Sequence, residues 1–384
     1  MTYQPRILFY LPDDNHHSLQ RYLAIAHQLV QDLPNVKQKL ITKALPEASL
    51  PMGVDVSVIP KSAEGYATSG KTASKKAQRK REEHILDAIY QFQPHLLLVD
   101  RVASGLNGEI LPALHFLKAW SPHTKIVYGM QDVEASPQSI QVSWQLNGIY
   151  QLLDKFYDRI LLYGQRDLFD PIMAYHMPVS TAVKVVECGY LNYLNNCSIP
   201  LATTQLISDK FSILIVVDSD EAIDNCTQFF SRNNLIENAQ LPIHLSLLID
   251  SKLTIQQIRD FLTSLEHWSI DNVNFDLSLC HQFIDLADLV VCNASYASVC
   301  NVIARNKQTL YLIGPQTPPD YMMRARALFR AGLAQIHDLS IESELKLNRN
   351  INIPHKTTTP PPSAMLHLNG VRLASKAIAS MIMS

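Results

Sequence analysis

The sequence predicts an α/β protein with two domains, each a parallel β-sheet covered by helices on both faces. Three observations predict this fold: the length of 384 residues, an alternation of short apolar runs with helical patterns, and a polar break near the middle. The length is too great for one ordinary core and suits two domains of about 150–200 residues. Hydrophobic residues at 47% and charged residues at 18% are typical of a folded globular chain.

The first half of the chain alternates strands with helices. Short runs rich in Ile, Leu and Val predict strands at 6–11, 37–41, 54–59, 95–100, 124–130, 159–164 and 183–188. Each run is too short for an ordinary helix and has the continuous apolar character of a strand that is buried on both faces. Helical patterns lie between them at 18–32, 73–92, 109–120, 139–156 and 167–175. This alternation predicts right-handed βαβ units, and therefore a Rossmann-like domain over residues 1–191.

A second series of elements follows a break in the pattern. Residues 192–209 are polar and turn-rich, contain Pro200, and form the predicted linker. Strands are then predicted near 211–217, 244–249, 273–277, 289–293 and 309–313, with helices near 221–232, 254–267, 295–305 and 321–331. They predict a second Rossmann-like domain over residues 210–347. Residues 348–363 are rich in proline and predict an exposed loop, and residues 364–384 predict a helix that docks back on the body.

Composition excludes several classes of protein. The formal net charge of −2 argues against broad electrostatic binding of nucleic acid, which needs a basic surface. The six cysteines include no C-x-x-C pair, so neither a zinc site nor a disulfide framework is indicated. The first residues lack the pattern of a signal peptide, and no stretch approaches about 18 consecutive apolar residues. We therefore expect a soluble cytoplasmic protein.

Several longer segments match a known family. The first half contains HLLLVDRVASGLNGEILPALHFLKAWSPHTKIVYGMQD, YDRILLYGQRDLFD and VECGYL, and the second half contains FIDLADLVVCNASYASVCNVIARNKQTLYLIG and RARALFRAGLAQI. In order and spacing these segments resemble the bacterial family-28-like glycosyltransferases, relatives of the enzyme that adds N-acetylglucosamine in peptidoglycan precursor synthesis. The resemblance covers most of residues 5–340.

The resemblance implies the glycosyltransferase-B (GT-B) architecture, in which two Rossmann-like domains face each other across a cleft. It also implies a nucleotide-sugar donor, such as a UDP-sugar, in the C-terminal domain and an acceptor in the N-terminal domain. Transfer would be inverting and would need no metal ion or other cofactor. Backbone N–H groups, helix N-termini and close-approaching glycine turns must then stabilise the departing diphosphate.

The first family motif departs from the usual pattern. Where related chains carry a glycine-rich turn and a catalytic His, this chain reads DDNHHS over residues 13–18. The alignment puts His17 on a usual Gly and Ser18 on the usual His. The resemblance makes His17 the predicted general base, provided that the turn shifts by one residue. The alternative is that His16 and His17 are exposed turn residues.

The donor motifs also depart from the pattern. The second glycine-rich turn reads DSDE over residues 218–221, and its acids would repel a diphosphate. The third, normally Gly-Gly before a helix, reads NASYAS from Asn293, so Asn293, Ser295 and Ser298 are the predicted diphosphate ligands. Asn301 stands where the family carries an acid for the donor ribose. The Glu-Gln pair expected at the sugar falls at residues 320–321, and the chain has only 12 glycines.

Other candidates stand at predicted strand ends, where parallel sheets bind ligands. Asp132 is a candidate catalytic residue, and its alternative role is to cap the next helix. Asp100 and Arg101 end another strand before Gly105, with a structural ion pair as the alternative. Arg324 is a candidate residue for binding the nucleotide-sugar donor. The alternative is that it lies on its helix and does not face the cleft. The further side chains predicted at the cleft are Ser18, Arg101, Gly105 and Asp218.

The run KTASKKAQRKR, from Lys71 to Arg81, is the strongest charge feature. It could contact an anionic membrane surface, but a solvated helix start is the favoured interpretation. Two functions therefore stay open. One is transfer of a hexosyl group from a nucleotide-sugar to an unknown acceptor. The other is a non-catalytic relative that binds a sugar, a nucleotide or a protein partner.

Overall fold

The computed structural model describes residues 4–12, 16–46, 50–60, 71–192, 210–232, 242–340 and 366–383. The side chains of residues 16, 17, 71–74, 232 and 278 lie outside this description. The chain divides into two compact units. Unit 1 comprises Met1–Asn196 and His367–Ser384, and unit 2 comprises Cys197–Leu366. Most of the predicted linker and the whole predicted loop at 348–363 lie outside the described residues.

Unit 1 contains a seven-stranded parallel sheet in the order β3-β2-β1-β4-β5-β6-β7. Its strands are β1 (Arg6–Tyr10), β2 (Lys37–Thr42), β3 (Val54–Val58), β4 (Leu96–Asp100), β5 (Lys125–Gln131), β6 (Arg159–Tyr163) and β7 (Val185–Glu187). The helices of its first segment are α1 (His16–Asp32), α2 (Lys71–Phe92), α3 (Leu111–Trp120), α4 (Pro137–Leu146), α5 (Ile149–Phe156), α6 (Pro171–Ala174) and α7 (Val179–Ala182). Strand order reverses between β1 and β4, which marks the crevice where such sheets bind ligands.

Unit 2 contains a six-stranded parallel sheet in the order β10-β9-β8-β11-β12-β13. Its strands are β8 (Phe211–Val217), β9 (Ile243–Ile249), β10 (Ile270–Asn274), β11 (Leu289–Cys292), β12 (Gln308–Ile313) and β13 (Gln335–Asp338). Its helices are α8 (Asp220–Arg232), α9 (Ile255–Ser264), α10 (Cys280–Leu286), α11 (Tyr296–Ile303) and α12 (Pro319–Arg330). Here the order reverses between β8 and β11, so the two sheets share one topology.

The C-terminal helix α13 (Gly370–Met383) docks back on the body, as predicted, and the structure places it in unit 1, where it packs on α1. Gly370 allows this docking, because a Cβ there would lie 2.5 Å from the carbonyl oxygens of Gly189 and Tyr190. Gly189 itself adopts φ +86° as the chain leaves the last strand. Ser375 Oγ donates a hydrogen bond to Asp32 Oδ2 at 2.6 Å, which ties α13 to the end of α1.

The predicted α/β class and both parallel sheets are confirmed, with three corrections in detail. The helix predicted at 139–156 is two helices, because Gly148 adopts φ +64° between them. The strand predicted at 273–277 begins earlier, at Ile270. The edge strand β13 and the helix α10 were not predicted from the sequence. The buried sheet residues of each unit form their own apolar core.

Candidate functional site

The strongest candidate site lies in unit 2, at the carboxyl ends of β8 and β11. These strands pair in parallel, and the strand order reverses between them. Asp218 follows the last residue of β8, and Asn293 follows the last residue of β11. The acidic turn and the polar turn found in the sequence therefore meet at one place, where a crevice opens in sheets of this topology.

The structure brings the three predicted diphosphate ligands together around one carboxylate. Asn293 Nδ2 donates a hydrogen bond to Asp218 Oδ1 at 2.6 Å. The hydroxyl oxygens of Ser295 and Ser298 each lie 3.4 Å from Asp218 Oδ2. Asn293, Ser295 and Ser298 are all buried. We call these four residues the Asp218 cluster, in which a carboxylate of the chain itself stands where the resemblance predicts the diphosphate.

The Asp218 cluster lies at the N-terminus of α11. Ser295 is the N-cap, and its Oγ accepts a hydrogen bond from Ser298 N at 3.2 Å. Ser295 N in turn donates to Asn293 Oδ1 at 3.1 Å, which fixes the turn between β11 and α11. The first N–H groups of a helix and its dipole favour negative charge at this end. Asp218 therefore supplies an anion where the helix favours one.

A second acid, Glu221, lies beside the Asp218 cluster. The sequence did not indicate that Glu221 belongs to a hydrogen-bond network. Glu221 Oε1 accepts hydrogen bonds from Asn225 Nδ2 at 2.6 Å and from Thr317 Oγ1 at 2.5 Å. Burial raises the pKa of Glu221 and the charge of Asp218 adds to the rise, whereas these hydrogen bonds oppose it. The spacing of Glu221 and Asn225 on one face of α8 is the signal that could have found this pair. Thr317 comes from a distant loop and gives no such signal.

Arg324 supports the turn that carries the Asp218 cluster. Its side chain is 1% exposed, and Nη1 donates a hydrogen bond to the carbonyl oxygen of Ala294 at 2.8 Å. Nη1 also lies 3.6 Å from Asp320 Oδ2, and the guanidinium carbon Cζ lies 5.8 Å from the centroid of the Tyr296 ring. Asn301 lies further along α11 and is half-buried. Donor binding by Arg324 and Asn301 stays a prediction.

In unit 1 the residues at the reversal of strand order form a buried ion pair. Arg21 Nη2 donates to Asp100 Oδ2 at 2.6 Å and to Ser18 Oγ at 2.8 Å. Ser18, at the position of the family's catalytic His, is thus held by an internal network. Asp100 pairs with the buried Arg21. The side chain of His17, the predicted base, lies outside the described residues.

The loop after β4 lines a cavity of about 510 Å³ in unit 1. Arg101 borders it with φ +60° and lies 3.6 Å from Glu134 Oε2, whose pKa is raised by burial and lowered in part by Arg101. Gly105, also at this cavity, adopts φ +67°. A Cβ there would lie 2.7 Å from Tyr10 Oη, so the position needs glycine. Arg101 and Gly105 therefore both line this cavity, whereas Ser18 is buried in the first turn of α1.

Asp132 is buried after β5, with both carboxylate oxygens engaged. Oδ1 accepts a hydrogen bond from Val133 N at 2.6 Å, and Oδ2 accepts one from Tyr190 Oη at 3.0 Å. The interpretation of Asp132 as a helix cap is wrong, because Ser136 caps the next helix. A catalytic role for Asp132 stays a prediction.

The basic run lies on α2, which begins at Lys71. Lys75, Lys76 and Lys80 are exposed, whereas Arg81 is paired with the buried Glu109. Within the described ranges, no group of three or more His, Cys, Asp or Glu side chains could hold a metal ion. Among the described helices, none is long and apolar enough to cross a membrane. Membrane contact and a cytoplasmic location stay predictions.

Neither a protein-family profile nor a curated protein matches the sequence. Solved structures do match. A putative UDP-N-acetylglucosamine 2-epimerase from Listeria monocytogenes is 13% identical with a TM-score of 0.67, and the match covers 100% of this chain and 96% of that one. MurG from Acinetobacter baumannii is 12% identical with a TM-score of 0.53, and the match covers 99% and 95% of the two chains.

The spinosyn rhamnosyltransferase SpnG, complexed with thymidine diphosphate, is 14% identical with a TM-score of 0.54. That match covers 99% of this chain and 92% of the other. All three matches extend over both sheets. The chain has the GT-B fold. GT-B proteins at so low an identity share a fold with this chain, and a fold does not by itself fix an activity.

Proposed function

We propose that this GT-B protein is a glycosyltransferase-like protein that transfers a hexosyl group from a nucleotide-sugar donor to an acceptor. Unit 2 binds the donor, with a UDP-sugar as the first candidate, and unit 1 binds the acceptor. One observation carries the proposal: Asn293, Ser295 and Ser298 lie together at the N-terminus of α11, at the reversal of strand order. Such a position suits a diphosphate because the helix dipole and several hydrogen-bond donors converge there.

The proposed reaction is inverting and independent of a metal ion. A base takes the proton of the acceptor hydroxyl while its oxygen attacks the anomeric carbon from the face opposite the diphosphate. The bond to the diphosphate breaks, and the donors at α11 stabilise the charge of the leaving group. We assign the base to His17, at the start of α1, with Asp132 as a second catalytic candidate. Asn301 is assigned to the donor ribose and Arg324 to the turn beside the diphosphate.

One observation favours a second candidate function. The Asp218 carboxylate occupies the position assigned to the diphosphate, and two like charges cannot share that position. A chain that kept the GT-B fold but lost donor binding would have such a site. The second candidate is therefore a non-catalytic relative that binds a sugar, a nucleotide or a protein partner.

Calorimetric titration with UDP-, GDP- and TDP-sugars separates the two candidates. Transferase activity requires that at least one donor binds and that its nucleoside diphosphate is released when a suitable acceptor is present. His17→Ala should then abolish release while donor affinity is kept, with His16→Ala as the matched control. Absence of binding by every donor would support the non-catalytic candidate, and full activity of His17→Ala would refute the base assignment.

A further inference from the structure

The contacts within the Asp218 cluster bear on which ligands can bind to the site of unit 2. We infer that Asp218 is a specificity-determining residue that competes, within the chain, with the diphosphate of a bound nucleotide. The inference rests on the proposed function for the identity of the ligand class. It goes further because it names the residue that limits binding and the direction in which binding changes when that residue is replaced.

The side-chain hydrogen-bond donors of the Asp218 cluster are directed at Asp218. The hydroxyls of Ser295 and Ser298 carry one proton each, and the two oxygens are also 2.9 Å from each other. Asn293 Nδ2 directs its protons at Asp218 Oδ1 and, at 3.4 Å, at Ser219 Oγ. These donors cannot serve Asp218 and a phosphate at the same time. A phosphate can therefore take its place at α11 only after the Asp218 carboxylate has left.

The charges beside the Asp218 cluster also oppose the approach of a phosphate. Asp218 and Glu221 follow the same strand, and Asp218 raises the pKa of Glu221. Arg324, a buried cation of the same unit, already contacts Ala294 and Asp320, so its charge is shared with another carboxylate. A phosphate that approaches an ionised Asp218 is repelled, and hydrogen bonds to an ionised carboxylate are stronger than those to a neutral group. Both effects favour the self-occupied state.

The size of the effect depends on the fraction of molecules in which Asp218 occupies the site. When only a fraction of molecules is open to a ligand, the apparent dissociation constant rises in inverse proportion to that fraction. We take the self-occupied state to hold at least nine molecules in ten, which raises the apparent dissociation constant at least about tenfold. Removal of the Asp218 carboxylate should therefore tighten the binding of a nucleoside diphosphate at least about tenfold. Substitutions elsewhere in the same turn should not.

The test compares the affinity of wild-type protein and variants for UDP and TDP by calorimetry. Asp218→Ser removes both the charge and the bulk, whereas Asp218→Asn removes the charge and keeps the size. Asp220→Asn is the matched control, because Asp220 is an exposed acid of the same turn that contacts Gln257. We expect Asp218→Ser to bind UDP or TDP at least about tenfold more tightly than wild type, Asp218→Asn to gain less, and Asp220→Asn to equal wild type.

Addition of Asn293→Ala to Asp218→Ser should cancel the gain if the ligand uses the same donors. Equal affinity of wild type and Asp218→Ser, or an equal gain in Asp220→Asn, would overturn the inference. If Asp218→Ser binds UDP while the wild type transfers no sugar, the inference stands and the proposed transfer fails. If the wild type transfers sugar and binds UDP as tightly as Asp218→Ser does, the transfer stands and the inference fails.

Discussion

Arg21 and Asp100 form a buried ion pair in unit 1, with 2.6 Å between Nη2 and Oδ2. The side chains are 1% and 4% exposed, so neither charge is solvated by water. Ser18 shares this network through its hydroxyl. The pair joins α1, the helix that follows β1, to the end of β4. The strand order reverses between β1 and β4. It therefore positions the start of α1, where the proposed base lies.

Replacement of Asp100 by Ala should strongly destabilise unit 1. The change leaves the Arg21 charge buried without its partner, which costs about 3–5 kcal/mol of unfolding free energy. Urea denaturation followed by circular dichroism measures the loss. Glu83→Gln is the matched control, because it breaks the exposed pair with Arg79 on α2 and should cost less than about 1 kcal/mol. Equal losses in the two variants would show that the buried pair does not hold α1 in place.

Gly370→Ala should release α13 from unit 1. The added Cβ meets the backbone carbonyl oxygens of Gly189 and Tyr190 at 2.5 Å, and backbone cannot move aside cheaply. Overpacking of this kind costs about 1–3 kcal/mol. Hydrogen exchange of the α13 amides should accelerate, whereas Lys376→Ala, at an exposed position of the same helix, should leave it unchanged. Unaltered protection in Gly370→Ala would contradict the close docking of α13 at Gly370.

Glu221→Gln should stabilise unit 2 at neutral pH. The pKa of Glu221 is raised in the folded chain, so the folded state holds its proton more strongly than the unfolded state does. Stability therefore falls as pH rises from the ordinary value of 4.5 through the folded-state pKa. Glutamine does not ionise and still accepts hydrogen bonds from Asn225 and Thr317 through its carbonyl oxygen.

The gain should be present at pH 7 and should shrink towards pH 4. Urea denaturation at both pH values measures it through the fluorescence of Trp268, in a chain with Trp120 and Trp144 replaced by Phe. Glu266→Gln, at an exposed position of unit 2, serves as the control. A gain that is as large at pH 4 as at pH 7 would exclude ionisation of Glu221 as its cause.

The buried cysteines of both units should resist alkylation in the native state. Burial raises the pKa of Cys188 to about 12 and also raises the pKa of Cys226 and Cys292. Little thiolate is then present at pH 8, and the thiolate is the reactive form. Iodoacetamide labelling followed by mass spectrometry should modify these residues only after denaturation. Rapid native labelling of Cys226 or Cys292 would show that the core of unit 2 opens readily.

The sequence predicted the sheets because most of their strands are continuous apolar runs, a pattern that is typical of strands buried on both faces. It did not predict β13, since Gln335–Asp338 is short and mostly polar. It predicted one helix across Gly148, because helical periodicity on either side conceals a single residue with positive φ. Elements with a strong apolar period could thus be predicted from the sequence. The edge strand β13 and the break between two helices at Gly148 could not.

The candidate site was predicted in position but not in arrangement. The sequence located the acidic turn at Asp218 and the polar turn at Asn293, and the rules of parallel sheets place both at one edge. It did not indicate that Asn293 would donate a hydrogen bond to Asp218 itself. That contact depends on side-chain orientation across two strands, for which a linear pattern has no signal.

A crystal structure of Asp218→Ser soaked with UDP tests the central claim most directly. We expect a phosphate oxygen within hydrogen-bond distance of Asn293 Nδ2 and of the Ser295 or Ser298 hydroxyl, at the place that the Asp218 carboxylate occupies in the wild type. A UDP molecule bound elsewhere, with the N-terminus of α11 left to other side chains of the protein, would contradict it.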